Sequence, residues 1–369
     1  MLWAERYLYV PAIGLFIMGG ILLTRLRKLC LYASRMTVTL YYVLVAVILV
    51  GFTWQTSSRS CDWKDEITLW SKTIQREPNS YRAHSSLGIL LIKKGLEEAG
   101  ISELKKSLSL NPLYADAHNN LGTLYEQKGL HNDAFREYNN ALQNNQYHAE
   151  AHYNLGNLYS NMHDYAGAIK EYNRYLSDKG DHPAVLYNVG FAYMKAGVLD
   201  AATDAFRKSL QGNPENADAH SNLGIIFIRN GKTHDAETEF RKALQYNPAH
   251  ANAHNNLGFI HVNQNQYDSA ISEFKEALKI QPDNIDTLKN LGNLYYQREM
   301  WDDTIAVFEK LVSYKNNDTD IYCQLSNAYL KKGFPQKALI QLKKCLPFVQ
   351  NPAQTDTIRS TIQILEKTP

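Results

Sequence analysis

Glycine recurs at positions 88, 122, 156, 190, 224, 258 and 292, each 34 residues after the last, and Ser326 completes the series. A fixed period of this length means stacked copies of one small unit that buries its apolar face only against its neighbours, which rules out a single central core. Other columns keep step. Three residues after the glycine stand Tyr125, Tyr159, Tyr193, Phe227, Tyr295 and Tyr329; twelve after it Ala134, Ala168, Ala202, Ala236, Ala270 and Ala338; sixteen after it Tyr138, Tyr172, Phe206, Phe240, Phe274 and Phe308. Pro112, Pro214, Pro248 and Pro282 follow at plus 24. Glycine and alanine let two antiparallel helices approach closely, the aromatics fill the space between them, and proline stops the second helix because it cannot extend it. The unit is a helix hairpin.

This pattern resembles the tetratricopeptide repeat, the TPR. The resemblance implies an all-α fold, a right-handed superhelix of about eight repeats with a concave groove. The units run from 81 to 114, 115 to 148, 149 to 182, 183 to 216, 217 to 250, 251 to 284, 285 to 318 and 319 to 352. Residues 61–80, with Trp63, Leu69, Trp70 and Ile74, read as a linker and N-terminal capping helix; residues 353–369, with Ile358, Ile362 and Leu365 on one face, read as a C-terminal capping helix.

Ahead of the repeats lie two uncharged apolar stretches, 7–24 and 36–54, each near the ~20 residues that a helix needs to cross a bilayer. They predict a transmembrane hairpin over residues 1–60. The intervening segment 25–35 carries Arg25, Arg27, Lys28 and Arg35 without an acid, which by the positive-inside rule makes it a cytoplasmic loop. The lipid bilayer is then a partner, and the repeats lie on the extracytoplasmic side: periplasm or cell exterior in a bacterium, endoplasmic-reticulum lumen in a eukaryote.

Charge bears on partners. Of 39 basic and 37 acidic residues, six and one respectively fall in the first sixty positions, so the remainder carries 33 basic against 36 acidic groups. A mildly acidic array lacks the clustered cations that hold phosphates, so nucleic acid is not an expected partner.

One column is not explained by packing. Asn120, Asn154, Asn188, Asn222, Asn256 and Asn290 each stand two residues before the glycine. In the TPR fold this column faces the groove, where a carboxamide in every repeat offers donors and acceptors to the backbone of an extended peptide. The arrangement is similar to the asparagine ladder of the O-GlcNAc transferase superhelix, which implies a peptide-binding groove; the other reading is that the asparagines bond neighbouring helices and fix the pitch. Asn157, Asn293 and Asn327 widen the same polar face, and Tyr153 and Tyr187 add aromatic surface. Only Lys289 supplies a lysine there, so a two-carboxylate clamp is not expected.

His84, His118, His152, His220 and His254 form a further column, but stacked helices ~8 to 10 Å apart hold such side chains too far from one another to converge on zinc at ~2 Å. They read as packing residues. Asp302 and Asp303 read as acids of a helix start, and Cys323 and Cys345 as two small buried thiols that could in principle pair. No catalytic residue, metal or cofactor is expected.

The run Glu5-Arg6-Tyr7-Leu8-Tyr9-Val10-Pro11, the second apolar helix and Asp62-Trp63 ahead of TPRs resemble the transmembrane and TPR-containing O-mannosyltransferases and their bacterial relatives. That family's catalytic acids lie in an early loop without counterpart in this sequence. Two functions are therefore expected: a membrane-anchored TPR scaffold that binds extended polypeptides or partner proteins, or an accessory or truncated part of a membrane O-mannosyltransferase that recruits acceptor proteins, with a polytopic glycosyltransferase as a further partner. In neither does the chain transfer mannose by itself.

Overall fold

A computed structural model describes residues 65–314, 319–349 and 351–367, with eight isolated helical positions between 24 and 50. Among them no helix is long and apolar enough to cross a membrane. The transmembrane hairpin is therefore corrected: crossing needs ~20 apolar residues in one continuous helix, and none is present among the described residues. Segments 7–24, 25–35 and 36–54 fall almost wholly outside the described residues.

The described chain is helical and forms two compact units, 1–121 and 122–369. The first contains α1 (Glu66–Arg76), α2 (Tyr81–Lys93) and α3 (Glu97–Leu110), and α4 (Ala115–Gln127) runs across the boundary. Asp65 caps α1 by accepting the Thr68 amide at 2.8 Å. In the α2–α3 hairpin the backbones approach so closely that a Cβ on Gly88 would stand 2.9 Å from the Gly100 carbonyl oxygen. Ser107 ties the hairpin further, its hydroxyl donating to the Tyr81 carbonyl at 2.7 Å.

The second unit continues with α5 (His131–Asn144), α6 (Ala149–Asn161), α7 (Tyr165–Lys179), α8 (Pro183–Lys195), α9 (Leu199–Gly212), α10 (Ala217–Arg229), α11 (Thr233–Tyr246), α12 (Ala251–Asn263), α13 (Tyr267–Ile280), α14 (Ile285–Gln297), α15 (Trp301–Ser313), α16 (Thr319–Lys331) and α17 (Pro335–Cys345), closed by α18 (Pro352–Glu366). Each hairpin turns through a left-handed residue. Gly197 takes φ +81°, and His163, Asn265 and Glu299 take φ +54° to +62° in other repeats. The next amide then reaches back to the first helix, as from Val198 to the Tyr193 carbonyl and from Met300 to the Tyr295 carbonyl, both at 2.9 Å.

In six hairpins, from Gly122 to Gly292, the glycine of the first helix faces the aromatic of the second. Tyr138, Tyr172, Phe206, Phe240, Phe274 and Phe308 are fully buried, and alanines 134, 168, 202, 236 and 270 lie beside them with no exposed surface. Successive first helices also touch: α6 with α8, α8 with α10, α10 with α12 and α12 with α14. Second helices make no comparable contact among the described residues. In a curved stack the elements crowded together are those on the inside, so the first helices of this unit line its inner face.

Candidate functional site

Each ladder asparagine precedes its glycine by two residues, about 200° around the helix. The glycine faces the paired helix, so the asparagine faces the opposite way, onto the inner face. Asn120, in the first unit, and Asn154, Asn188, Asn222, Asn256 and Asn290, in the second, are all half-buried, as are Asn157, Asn293 and Asn327 on the same helices. Their amide groups are put to use. Asn154 donates to Thr123 Oγ1 at 3.3 Å, Asn188 to the Tyr153 hydroxyl at 3.3 Å and Asn157 Oδ1 at 3.2 Å, and Asn222 to the Tyr187 hydroxyl at 3.3 Å. Asn290 donates to Asn255 Oδ1 at 3.0 Å and Asn327 to the Tyr296 hydroxyl at 2.6 Å. Every acceptor belongs to the preceding repeat, so the ladder couples neighbours as a pitch-fixing role requires. A carboxamide has two donors and an oxygen with two lone pairs, so holding the repeats together and meeting a ligand do not compete for the same atoms.

The inner face changes character along the unit. The position after the glycine holds Thr123 and Asn157, then Phe191, Ile225 and Phe259, then Asn293 and Asn327. Phe259 keeps 42% of its surface exposed. An apolar floor thus lies between two polar stretches.

The polar stretch at α4–α8 contains features that the repeat columns did not bring out. In the aromatic column Tyr138 and Tyr172 replace the phenylalanine of later repeats, and each hydroxyl reaches the inner face. Tyr138 donates to Glu126 Oε2 at 2.8 Å, and Tyr172 to Asn157 Oδ1 at 2.7 Å. Burial pushes both phenols well above their ordinary range, and the Glu126 charge adds to the rise at Tyr138; both stay neutral donors. Asn161 donates to the other Glu126 oxygen at 3.2 Å. Beside this network is an open cavity of about 390 Å³, lined by Glu126, Asn157 and Asn161 on one side and Tyr187, Asn188 and Phe191 on the other. The sequence pattern had marked Asn157, Tyr187 and Asn188; Glu126, Asn161 and Phe191 it had not. The available signal was the two hydroxyls in an otherwise phenylalanine column.

The histidine column is a ladder of a different kind. His84, His152, His220 and His254 each place Nδ1 2.5 to 2.6 Å from Glu103, Glu171, Glu239 and Glu273, the glutamate nineteen residues on. Each Nε2 lies 3.0 Å from the backbone carbonyl six residues before. Both nitrogens of each ring are thus engaged within the fold, which leaves neither for a metal. Burial opposes the charge of His152, but its bonds to Glu171 and the Gln146 carbonyl, with the negative charges of Glu171 and Asp178, hold its pKa above the ordinary value. Burial likewise works against Glu239, yet its bonds to His220 and Lys242 hold it below the ordinary carboxylate value. Of the remaining candidates, Asp302 and Asp303 fall in the first turn of α15, where Asp302 meets Lys332 at 2.9 Å. The reading of Cys323 and Cys345 as thiols is corrected. The α16–α17 pairing brings their Cα atoms to 6.0 Å and they form a disulfide.

The family model of the cilia and flagella-associated protein 70 C-terminal domain matches residues 84–302. The chain belongs to that family. Its other similarities are partial. Protein O-mannosyl-transferase F38B6.6 of Caenorhabditis elegans is 28% identical over 111 residues, 30% of this chain and 15% of the relative. Protein O-mannosyl-transferase Tmtc2 of Drosophila melanogaster is 28% identical over 113 residues, 31% of this chain and 11% of the relative. The chain thus spans a small part of the length of the transferases it matches. Among solved structures, a tetratricopeptide repeat protein from Parabacteroides merdae superposes with TM-score 0.50 at 18% identity, over 69% of this chain and 99% of that one. At that identity the likeness concerns the fold, which is the TPR fold.

Proposed function

We propose that the repeats form a protein-interaction module that holds an extended polypeptide along the inner face of the second unit, read through the asparagine ladder. The observation that carries this is the ladder's placement: half-buried carboxamides recur at one pitch beside an apolar floor and an open cavity. A repeated carboxamide matches the backbone's repeated donors and acceptors, and so takes hold of a chain without reading its sequence.

The test uses a permanently unfolded, S-carboxymethylated polypeptide as ligand. Changing Asn154, Asn188, Asn222 and Asn256 together to Ala is expected to weaken its binding, at about 0.5 to 1.5 kcal/mol for each bond made in the complex. Tyr153→Phe with Tyr187→Phe removes the hydroxyl acceptors that Asn188 and Asn222 use between repeats, leaving Asn188 only its bond to Asn157, while keeping every carboxamide. If that pair weakens binding as much as the asparagine variant does, the ladder only sets the pitch and the groove reading fails. The partial similarity to two O-mannosyl-transferases supports a narrower reading, in which the module recruits acceptor polypeptides for such an activity. The quadruple variant then also lowers mannose transfer to the same polypeptide in membranes that contain the transferase; unchanged transfer removes the narrower reading.

The Cα separation of Cys323 and Cys345 supports folding in an oxidising compartment, because cytosolic thiols are kept reduced. Non-reducing peptide mass spectrometry of protein isolated with rapid thiol blocking is expected to yield the linked pair. Two blocked, unlinked thiols would argue against an extracytoplasmic array.

A further inference from the structure

We propose that the cavity between α4, α6 and α8 is a subsite for a basic side chain, Lys or Arg, of the polypeptide bound along the groove. This rests on the groove reading above and adds to it a preference that the ladder itself lacks. Of the side chains lining the cavity only Glu126 is ionisable at neutral pH, and none is cationic. Its two oxygens already accept from Tyr138 and Asn161, which fixes the carboxylate's position, and each oxygen keeps a second lone pair. Across the cavity stand the rings of Tyr187 and Phe191; an aromatic face attracts a cation, and Phe191 already carries Lys195 on its ring. The amide oxygens of Asn161 and Asn188 on the same lining suit the several donors of a guanidinium.

The surrounding charges are consistent with this. Asp218, on the next first helix, acts on Tyr187, which burial and that charge together push above its ordinary value. Lys195, outside the lining, already stands over the Phe191 ring with its Nζ 5.3 Å from the centroid. No later repeat builds the same cavity, because the positions matching Glu126 hold Ser160, Met194, Ile228, Val262, Tyr296 and Leu330. The preference therefore fixes where along the groove a ligand sits as well as what it is.

Two probes separate the subsite from the groove. The first is n-butylguanidinium, titrated while the side-chain amide resonances of Asn157, Asn161 and Asn188 are followed by NMR. Saturable shifts are expected in the native protein and are expected to be lost in Glu126→Gln, an isostere that keeps partners for Tyr138 and Asn161. The second is a set of twelve-residue Ala/Ser peptides with Arg, norleucine or Glu at the centre. The Arg peptide is expected to bind about tenfold tighter than the norleucine peptide, with the Glu peptide weakest, and Glu126→Gln is expected to remove the Arg advantage while leaving norleucine binding unchanged. Equal binding of the Arg and norleucine peptides overturns the subsite and leaves the groove standing. Failure of every peptide to bind while butylguanidinium still shifts the amides overturns the groove reading alone. Absence of both signals overturns the proposal.

Discussion

Replacing Gly224 by leucine should cost the array about 3 kcal/mol or more. A Cβ there would stand 2.6 Å from Phe240 Cε1 and 2.7 Å from its Cζ, and the ring has nowhere to go, packed among Ala236, Ala243, Leu257 and Ile260, all buried. Overfilling a packed site typically costs 1 to 3 kcal/mol and sometimes more, and leucine would add three further heavy atoms beyond that Cβ. Against this, leucine is a better helix former than glycine by about 1 kcal/mol, too little to reverse the sign. Gly231→Leu is the control: it also loses a glycine, at φ +71°, but nothing lies within 4 Å of its Cβ, so its cost is left-handed strain of about 1 to 2 kcal/mol. Denaturant titration compares the two totals. Hydrogen exchange locates the damage, which should fall on α8 to α13 and spare α16 and α17, because each repeat leans only on its neighbours. Equal costs for the two variants, or uniform loss of protection, would mean that the glycine column does not set the helix spacing.

That column made the fold legible. A 34-residue period fixes what each glycine opposes, so hairpin pairing, buried aromatics and alanines could be placed from spacing alone. Two kinds of information could not. The apolar stretches 7–24 and 36–54 met a hydropathy and length criterion, yet apolar composition does not establish a continuous spanning helix, and none is present among the described residues. The second kind is side-chain partnership. The asparagine column was visible, but not that Asn188 would donate to Tyr153 and Asn222 to Tyr187 across repeats, because period says which residues share a face and not which rotamers meet. The cavity beside Glu126 was hidden for the opposite reason: it depends on residues that break the repeat, the hydroxyls of Tyr138 and Tyr172 and the single carboxylate between them. The histidine column was visible and reads as packing residues, but the glutamates that pair with four of its members, nineteen positions on, do not stand out in the repeat. Glu103, Glu171, Glu239 and Glu273 lie on the partner helix at a spacing that the hairpin itself sets, so the pairing could have been found by asking which residue faces each histidine.

Those pairs carry the second large effect. His152 and Glu171 expose only 9% of each side chain, so Glu171→Ala leaves the imidazolium without its counter-ion at a largely buried position. Removing one partner of a buried pair costs about 3 to 5 kcal/mol, whereas replacing both by apolar groups of similar volume is often neutral. Glu171→Ala should therefore cost about 3 kcal/mol, and His152→Phe with Glu171→Leu should recover most of it. The same geometry sets a pH dependence. Because folding raises the His152 pKa above 6.5, its contribution is complete below that value and is lost as pH rises through the raised folded value. Glu239 runs the other way: folding lowers its pKa below 4.5, so its contribution is complete above that value and is lost as pH falls through the lowered one. Stability carried by His152 and Glu239 should peak between those two ordinary values and decline on the alkaline side first, since that limb begins nearest neutrality. Urea titrations at pH 5.5 and 8.5 read the difference directly. The double replacement should reduce the alkaline loss by the share due to His152, and an unchanged loss would show that the raised pKa at this pair does not contribute to folding.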